Sequence, residues 1–205
     1  MTKQPFLGPR RGYHHGSLKD ALIEAARHLV SERGPSGFTV SEAAKRVGVT
    51  AAASYRHFSN RDDLMGELVR RGFDLFALRL EEAFDNGRPD IGSALVRMGD
   101  AYLAFARDEP GLYGAMFANA AALDEPGPGA AADRALAVLR RAAEALLRVF
   151  GRENDDPRPL AFQIWAFSHG VATLMLSGHL PAGPDYDPRR TLHDGVGALV
   201  AALRR

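Results

Sequence analysis

The sequence has no cysteine. That removes disulfides, thiolate nucleophiles and cysteine-ligated zinc, and it agrees with a reducing compartment such as the cytoplasm. Period-two alternation of β-branched residues is missing too, which argues against strands. No run of about 18 apolar residues is present, so no membrane span is expected. Residues 1–16 hold Lys3, Arg10 and Arg11 but no following apolar run, so no secretory leader is expected. In bulk the 205 residues are ordinary, at 46% hydrophobic and 25% charged, and enough to bury a core.

The net charge is only +1, but it is unevenly placed. Residues 1–61 carry ten Lys and Arg against four acids, about +6. The remainder carries sixteen bases against twenty-one acids, about −5. A basic head on an acidic body suggests a polyanion as partner of the head; a chance imbalance of solvated faces is the alternative.

Almost every segment has helical periodicity, with Ala and Leu dominant. The pattern predicts a Pro/Gly-rich basic arm over 1–16 and a first helix over 17–33, with Leu18, Leu22, Ala25, Ala26, Leu29 and Val30 as its apolar stripe. Thr39 and Glu42 have the spacing of a capping box, so a short helix starts at Thr39 and stops at Gly48. Thr50 caps the next helix, 51–58, and the polar cluster 59–62 opens a long one, 61–84. Further helices are expected over 91–107, 111–119, 131–150, 160–177 and 189–203. A flexible turn at 124–129, a polar linker at 152–159 and a break at 181–184 lie between them.

Two short helices joined by a tight Gly-containing turn, behind a supporting helix, form a helix-turn-helix. The chemistry is a size match, because the major groove of DNA admits one α-helix held at a fixed angle. Val40, Ala43, Ala44 and Val47 give the first helix a buried face, and Val49 fills the corner. Tyr55 and Phe58 are expected to anchor the second helix.

The run from Thr39 to Leu64 resembles the DNA-binding signature of the TetR/AcrR family, with its Gly-Val turn, Tyr-x-x-Phe segment and polar restart before a Leu. Trp165, His169 and Gly170 resemble the Trp-x-x-x-His-Gly signature of one TetR-type C-terminal domain. The resemblance implies an all-α fold: a three-helix DNA-binding domain over 17–60, then a helical bundle over 61–205 for ligand binding and dimerisation. It implies a homodimer joined through the last two helices, usually a repressor released from an operator in double-stranded DNA by a small effector. Activation, or regulation without an effector, fits it equally.

Carried over by position, Thr39, Ser41 and Thr50 would meet phosphates at helix N-termini. Ala51, Ala52 and Ser54 fall where base edges are expected; Tyr55 and His57 fall at phosphate contacts. Lys19 and Arg61 are further backbone candidates. Three alanines make a sparse reading face, since alanine offers only a methyl contact to thymine. Arg56, Ser54 and the arm residues Arg10 and Arg11 are therefore expected to supply much of the contact, the arm in the minor groove.

For the effector, Met98, Tyr102, Phe105, Tyr113, Met116, Phe117, Phe162, Trp165 and His169 form an apolar and aromatic set that either lines a pocket or is core. They favour a hydrophobic or aromatic ligand of unknown identity. His169 is read as a core histidine, an effector contact or a dimer-interface residue. Ala166, Gly170, Ala172, Gly195, Gly197 and Ala198 are small enough for close helix approach between protomers. Neither a metal nor a cofactor is expected: His14 and His15 lack a third ligand. Ser168 between Phe167 and His169 resembles a nucleophile elbow, but its flanks are helical, so an enzyme is not expected. A protein-interaction module that has lost DNA binding is the remaining alternative.

Overall fold

The computed structural model describes residues 15–118, 120–180 and 186–204. The expected arm with Arg10, Arg11 and His14, and the break at 181–184, lie outside them. Among the described residues the fold is all-α: α1 (His15–Arg33), α2 (Val40–Val47), α3 (Ala51–Ser54), α4 (Arg61–Phe84), α5 (Ile91–Asp108), α6 (Pro110–Ala118), α7 (Pro126–Val149), α8 (Pro157–Leu176) and α9 (Pro188–Ala202).

The helix starts follow local chemistry. Thr39 and Glu42 form the predicted capping box, and Gly48 closes α2 at φ +80°, a conformation that glycine adopts without a Cβ clash. The Asn60 side chain accepts from the Asp63 amide at 2.8 Å and opens α4; Asp90 does the same for α5 through Ser93 at 2.9 Å.

Two segments differ from the expectation. The predicted flexible turn at 124–129 is largely the first turn of α7, and most of the predicted linker at 152–159 precedes an α8 that already starts at Pro157. The reason is common to both. Proline in a first helical turn lacks an N–H that would have no intrahelical partner anyway, and its φ already suits the helix. Glu125, Asp156 and Asp187 are the N-cap residues, each followed by a proline. Read as breakers, those prolines hide starts.

One hydrophobic core runs from Leu22 in α1 to Leu192 in α9. α4 packs along α7 and also touches α1, α5 and α6, so it ties the N-terminal helices to the bundle. α6 lies close on α1: a Cβ on Gly111 would stand 2.3 Å from the Arg27 carbonyl oxygen, so only glycine fits there. α8 is long and apolar enough on average to cross a membrane, but Arg158, Gln163 and His169 interrupt it, so it is not the unbroken apolar run whose absence was noted in the sequence. It packs here against α5, α7 and α9 as a bundle helix.

Candidate nucleic-acid interface and effector region

The head is built on α2, Gly48 and α3. α3 is shorter than the predicted 51–58. It ends at Ser54, and the chain continues as turns in which the His57 amide bonds back three residues to Ser54 at 2.9 Å. Ser54 is fully buried, and its hydroxyl donates to the Ala51 carbonyl at 2.7 Å. The expectation that Ser54 reads base edges is therefore corrected: it is an interior residue. Tyr55 is corrected as an anchor, because it is 50% exposed while Phe58 alone is buried.

The outward face holds Thr50, Ala51, Ala52, Tyr55 and Arg56, with Thr39 at the N-cap of α2, Ser41 on α2 and Lys19 on α1 also exposed; His57 is half-buried. The Thr50 hydroxyl oxygen accepts from the Ala53 amide at 3.3 Å, which leaves its proton to donate outward. Thr39 differs. Its hydroxyl accepts from the Glu42 amide at 3.1 Å and lies 3.0 Å from the Glu42 carboxylate. That carboxylate, held below its ordinary pKa by the Thr39 hydroxyl and by Arg33, already occupies the anion position at the start of α2. Sequence reasoning saw the box but not this consequence.

The basic character of the head divides in two. Arg27, Arg33 and Arg46 are paired with Glu24 and Glu109, Glu42 and Glu32. Arg61 donates to the Pro35 carbonyl and lies 5.2 Å over the Phe38 ring. Lys19, Lys45 and Arg56 are exposed and carry no ion pair among the described residues. Lys19 lies 5.7 Å over the Phe58 ring, which holds its charge beside the outward face.

In the bundle, the expected effector residues split. Tyr102, Tyr113, Phe117, Trp165 and His169 come together. The Tyr113 and Tyr102 hydroxyls lie 2.9 and 3.3 Å from the same His169 Nδ1. The Phe117 ring centroid is 4.3 Å from the imidazole. Burial pushes both tyrosines up, Tyr102 well above the ordinary range, and pushes His169 down. The node is thus neutral near pH 7, and two phenols share one imidazole nitrogen. Met98, Phe105 and Met116 are buried core, Phe105 against Phe76. Phe162 is 61% exposed on α8, so its expected place in an internal pocket is corrected.

Space occurs elsewhere. A groove of about 400 Å³ runs between α5, α7 and α9, and a void of about 20 Å³ beside Met98 and Tyr102 shares Leu95, Gly99 and Val196 with it. None of the nine expected residues lines the larger groove.

α8 exposes Phe162, Ala166, Gly170 and Leu174 at four-residue intervals, one face of a helix. Of the small residues expected at a protomer contact, Gly197 and Ala198 are likewise exposed, whereas Ala172 is buried within the chain. Gly195 seats the Phe167 ring, whose nearest atom would stand 2.1 Å from an added Cβ. Ser168 is buried, with its hydroxyl bonded to the Ile164 carbonyl at 2.8 Å inside α8, which is not an elbow.

Residues 22–68 match the sequence model of bacterial regulatory proteins of the tetR family, and residues 95–199 that of the tetracyclin repressor-like C-terminal domain. An uncharacterized HTH-type transcriptional regulator of Mycobacterium tuberculosis, Rv0681, is 25% identical over 91% of this chain and 82% of its own. A solved protein of unknown function from Rhodococcus sp. RHA1 superposes at TM-score 0.80, with 24% identity over 96% of this chain and all of that one. SmeT, the repressor of the Stenotrophomonas maltophilia multidrug efflux pump SmeDEF, superposes at TM-score 0.64, with 24% identity over 90% of this chain and 89% of its own. A SmeT–triclosan complex superposes at 0.65, with 22% identity over 91% of each chain.

Proposed function

We propose, from the premise that this chain belongs to the tetR family of bacterial regulatory proteins, that it is a homodimeric repressor released from its operator by a small hydrophobic molecule. It is a transcriptional regulator with a DNA-binding helix-turn-helix, not an enzyme. Residues 17–60 act as the reading head and 61–205 as the regulatory and dimerising body, in the cytoplasm.

The observation that carries this reading is the outward face of the head. Thr50, Ala51, Ala52, Tyr55 and Arg56 project from it, and Lys19 and Lys45 stand nearby without carboxylate partners among the described residues. Thr50 and the basic side chains are assigned to phosphates, and the two alanine methyls to thymine methyls. Ser41, Thr39 and His57 lie at the margin of the contact.

The body supports a dimer. The α8 stripe of Phe162, Ala166, Gly170 and Leu174 is an apolar surface that a second copy would cover, and small residues let helices approach closely. Two reading heads would then meet half-sites about 34–36 Å apart. The solved complex of SmeT with triclosan supports the effector part of the reading.

Selecting bound DNA from random pools tests it. A palindromic site with half-sites one helical turn apart is expected, and affinity for it should fall steeply as salt rises. No enriched sequence, or binding by a species of monomer mass, would reject the proposal.

A further inference from the structure

The groove between α5, α7 and α9 is not used by the DNA-binding face or by the α8 stripe. Its walls are Leu95 and Val96 from α5, Leu146 and Val149 from α7, and Val196 and Val200 from α9, all aliphatic. Phe150 is the one phenyl ring in its lining. Gly197 also lines it, and an added Cβ there would meet no atom within 4 Å, whereas a Cβ on Gly99 would meet Leu192 at 3.2 Å, so that glycine serves the close approach of α5 and α9. His193 is the one titratable lining residue, and its Nε2 is engaged by Asp100 at 3.1 Å. Arg189 donates to the same carboxylate at 2.9 Å. The lining therefore offers apolar contact and no spare charge.

We propose that this groove is a binding site for an unbranched aliphatic chain, whose head group stays at the solvent mouth. Three observations select that occupant. Aliphatic walls with a single phenyl ring give little for an aromatic ligand to stack on. Arg189 and His193 are both paired with the Asp100 carboxylate, so an ionised head that enters meets no unpaired charge in the lining. The third observation is size. Thirteen residues line the groove, whereas a stable protein interface takes roughly 20–30 residues on each side. At about 400 Å³ the groove falls within the range of small-molecule pockets.

The site deepens the effector reading by naming the ligand class, and rests on that reading only for its consequence at the operator. Leu95, Gly99 and Val196 continue from the groove to the small void beside Tyr102, whose hydroxyl faces His169. A chain that enters far enough presses on the node that joins α5, α6 and α8.

The test uses the full chain without DNA and measures binding of n-alkanoates and n-alkanols of six to twelve carbons by calorimetry, below their micellar concentrations. Full burial of a methylene tightens binding about fourfold, so this half-enclosed groove should give about two- to fourfold per added methylene. Alkanol and alkanoate of one length should bind within about threefold of each other. Val149→Phe on α7 and Val96→Phe on α5 narrow the groove from two walls. Val149 is 67% and Val96 44% exposed, so both variants should keep their melting temperature and mass. Each should weaken dodecanoate at least tenfold.

No binding, binding without dependence on chain length, a strong preference for one head group, or unchanged affinity in both folded variants would each overturn the site. Alkyl binding that disappears in both variants but leaves DNA affinity unchanged would keep the site and remove the effector reading instead.

Discussion

Glu67 is the residue whose removal tests the electrostatic joint between head and body. Its carboxylate takes Arg70 at 2.7 and 2.9 Å and Arg71 at 3.2 Å, and Arg71 also pairs with Asp20 on α1. Arg70 reaches Asp74, which Arg134 of α7 also holds, so one chain of charges links α1, α4 and α7. The Arg70 hydrogen bonds hold the Glu67 pKa down to about 2, from an ordinary 4.5. That difference corresponds to about 3 kcal/mol of stability at neutral pH. The Arg70 and Arg71 side chains are 37% and 31% exposed, and solvent screening reduces the contribution to about 1–2 kcal/mol. A folded-state pKa below the unfolded value stabilises fully above pH 4.5, and the contribution is lost as pH falls towards 2. Glu67→Gln should therefore lower the melting temperature at pH 7 by about 2–8 °C, at roughly 2–4 °C per kcal/mol for a chain of this length. It should also flatten the stability profile between pH 4.5 and 2. Scanning calorimetry at fixed protein concentration measures both, since a dimer's melting depends on concentration. An unchanged melting temperature together with an unchanged acid slope would refute the argument.

Ser54→Ala should leave the selected DNA sequence unaltered and lower stability by about 1 kcal/mol or less, because it removes one internal hydrogen bond; a changed base preference would return Ser54 to the reading face. Tyr55→Ala should weaken operator binding in a mobility-shift assay with little loss of stability, whereas Phe58→Ala should cost about 3–5 kcal/mol by emptying a core position. His169→Phe should flatten the dependence of melting temperature on pH below about 6.5: burial holds the folded-state pKa of His169 below the unfolded one, so wild-type stability is full above the unfolded value and declines beneath it. Leu174→Asp, on the exposed stripe of α8, should shift the mass in light scattering from dimer towards monomer; an unchanged dimer would place the interface elsewhere.

The scaffold was readable because its signals are local. Thr39 to Glu42 is a four-residue unit, Gly48 is a backbone requirement, and the bounds of α4 fall where the polar cluster and the apolar period place them. The errors at Pro126 and Pro157 have one cause: the same residue ends a helix when it lies inside and begins one when it lies in the first turn. An acidic residue immediately before the proline distinguishes the two cases, and that signal was present in the sequence. Ser54 and Tyr55 are a different failure. They are adjacent and both polar at one end, and only the early tightening of α3 decides which turns inward.

The effector region shows why a pocket is harder to read than an interface. Aromatic residues draw attention as candidates because they bury much surface and carry polar handles. Those same properties make them good at filling space: Tyr102, Tyr113, Phe117 and Trp165 close around His169, and their rings meet at centroid separations from 4.3 to 6.4 Å. A groove instead forms where side chains stop short. Gly197 marks that place on α9, where an added Cβ would meet no atom within 4 Å, and the aliphatic residues around the groove look in sequence like any other core positions. Seeing that Val96 and Gly197 border one space requires knowing that α5 and α9 are neighbours, although they lie far apart in sequence. The residues that bound empty volume are thus distributed by tertiary packing, while the residues that fill it announce themselves one at a time. Tyr102 borders the small inner void and faces His169, so the aromatic cluster packs beside the groove without lining it.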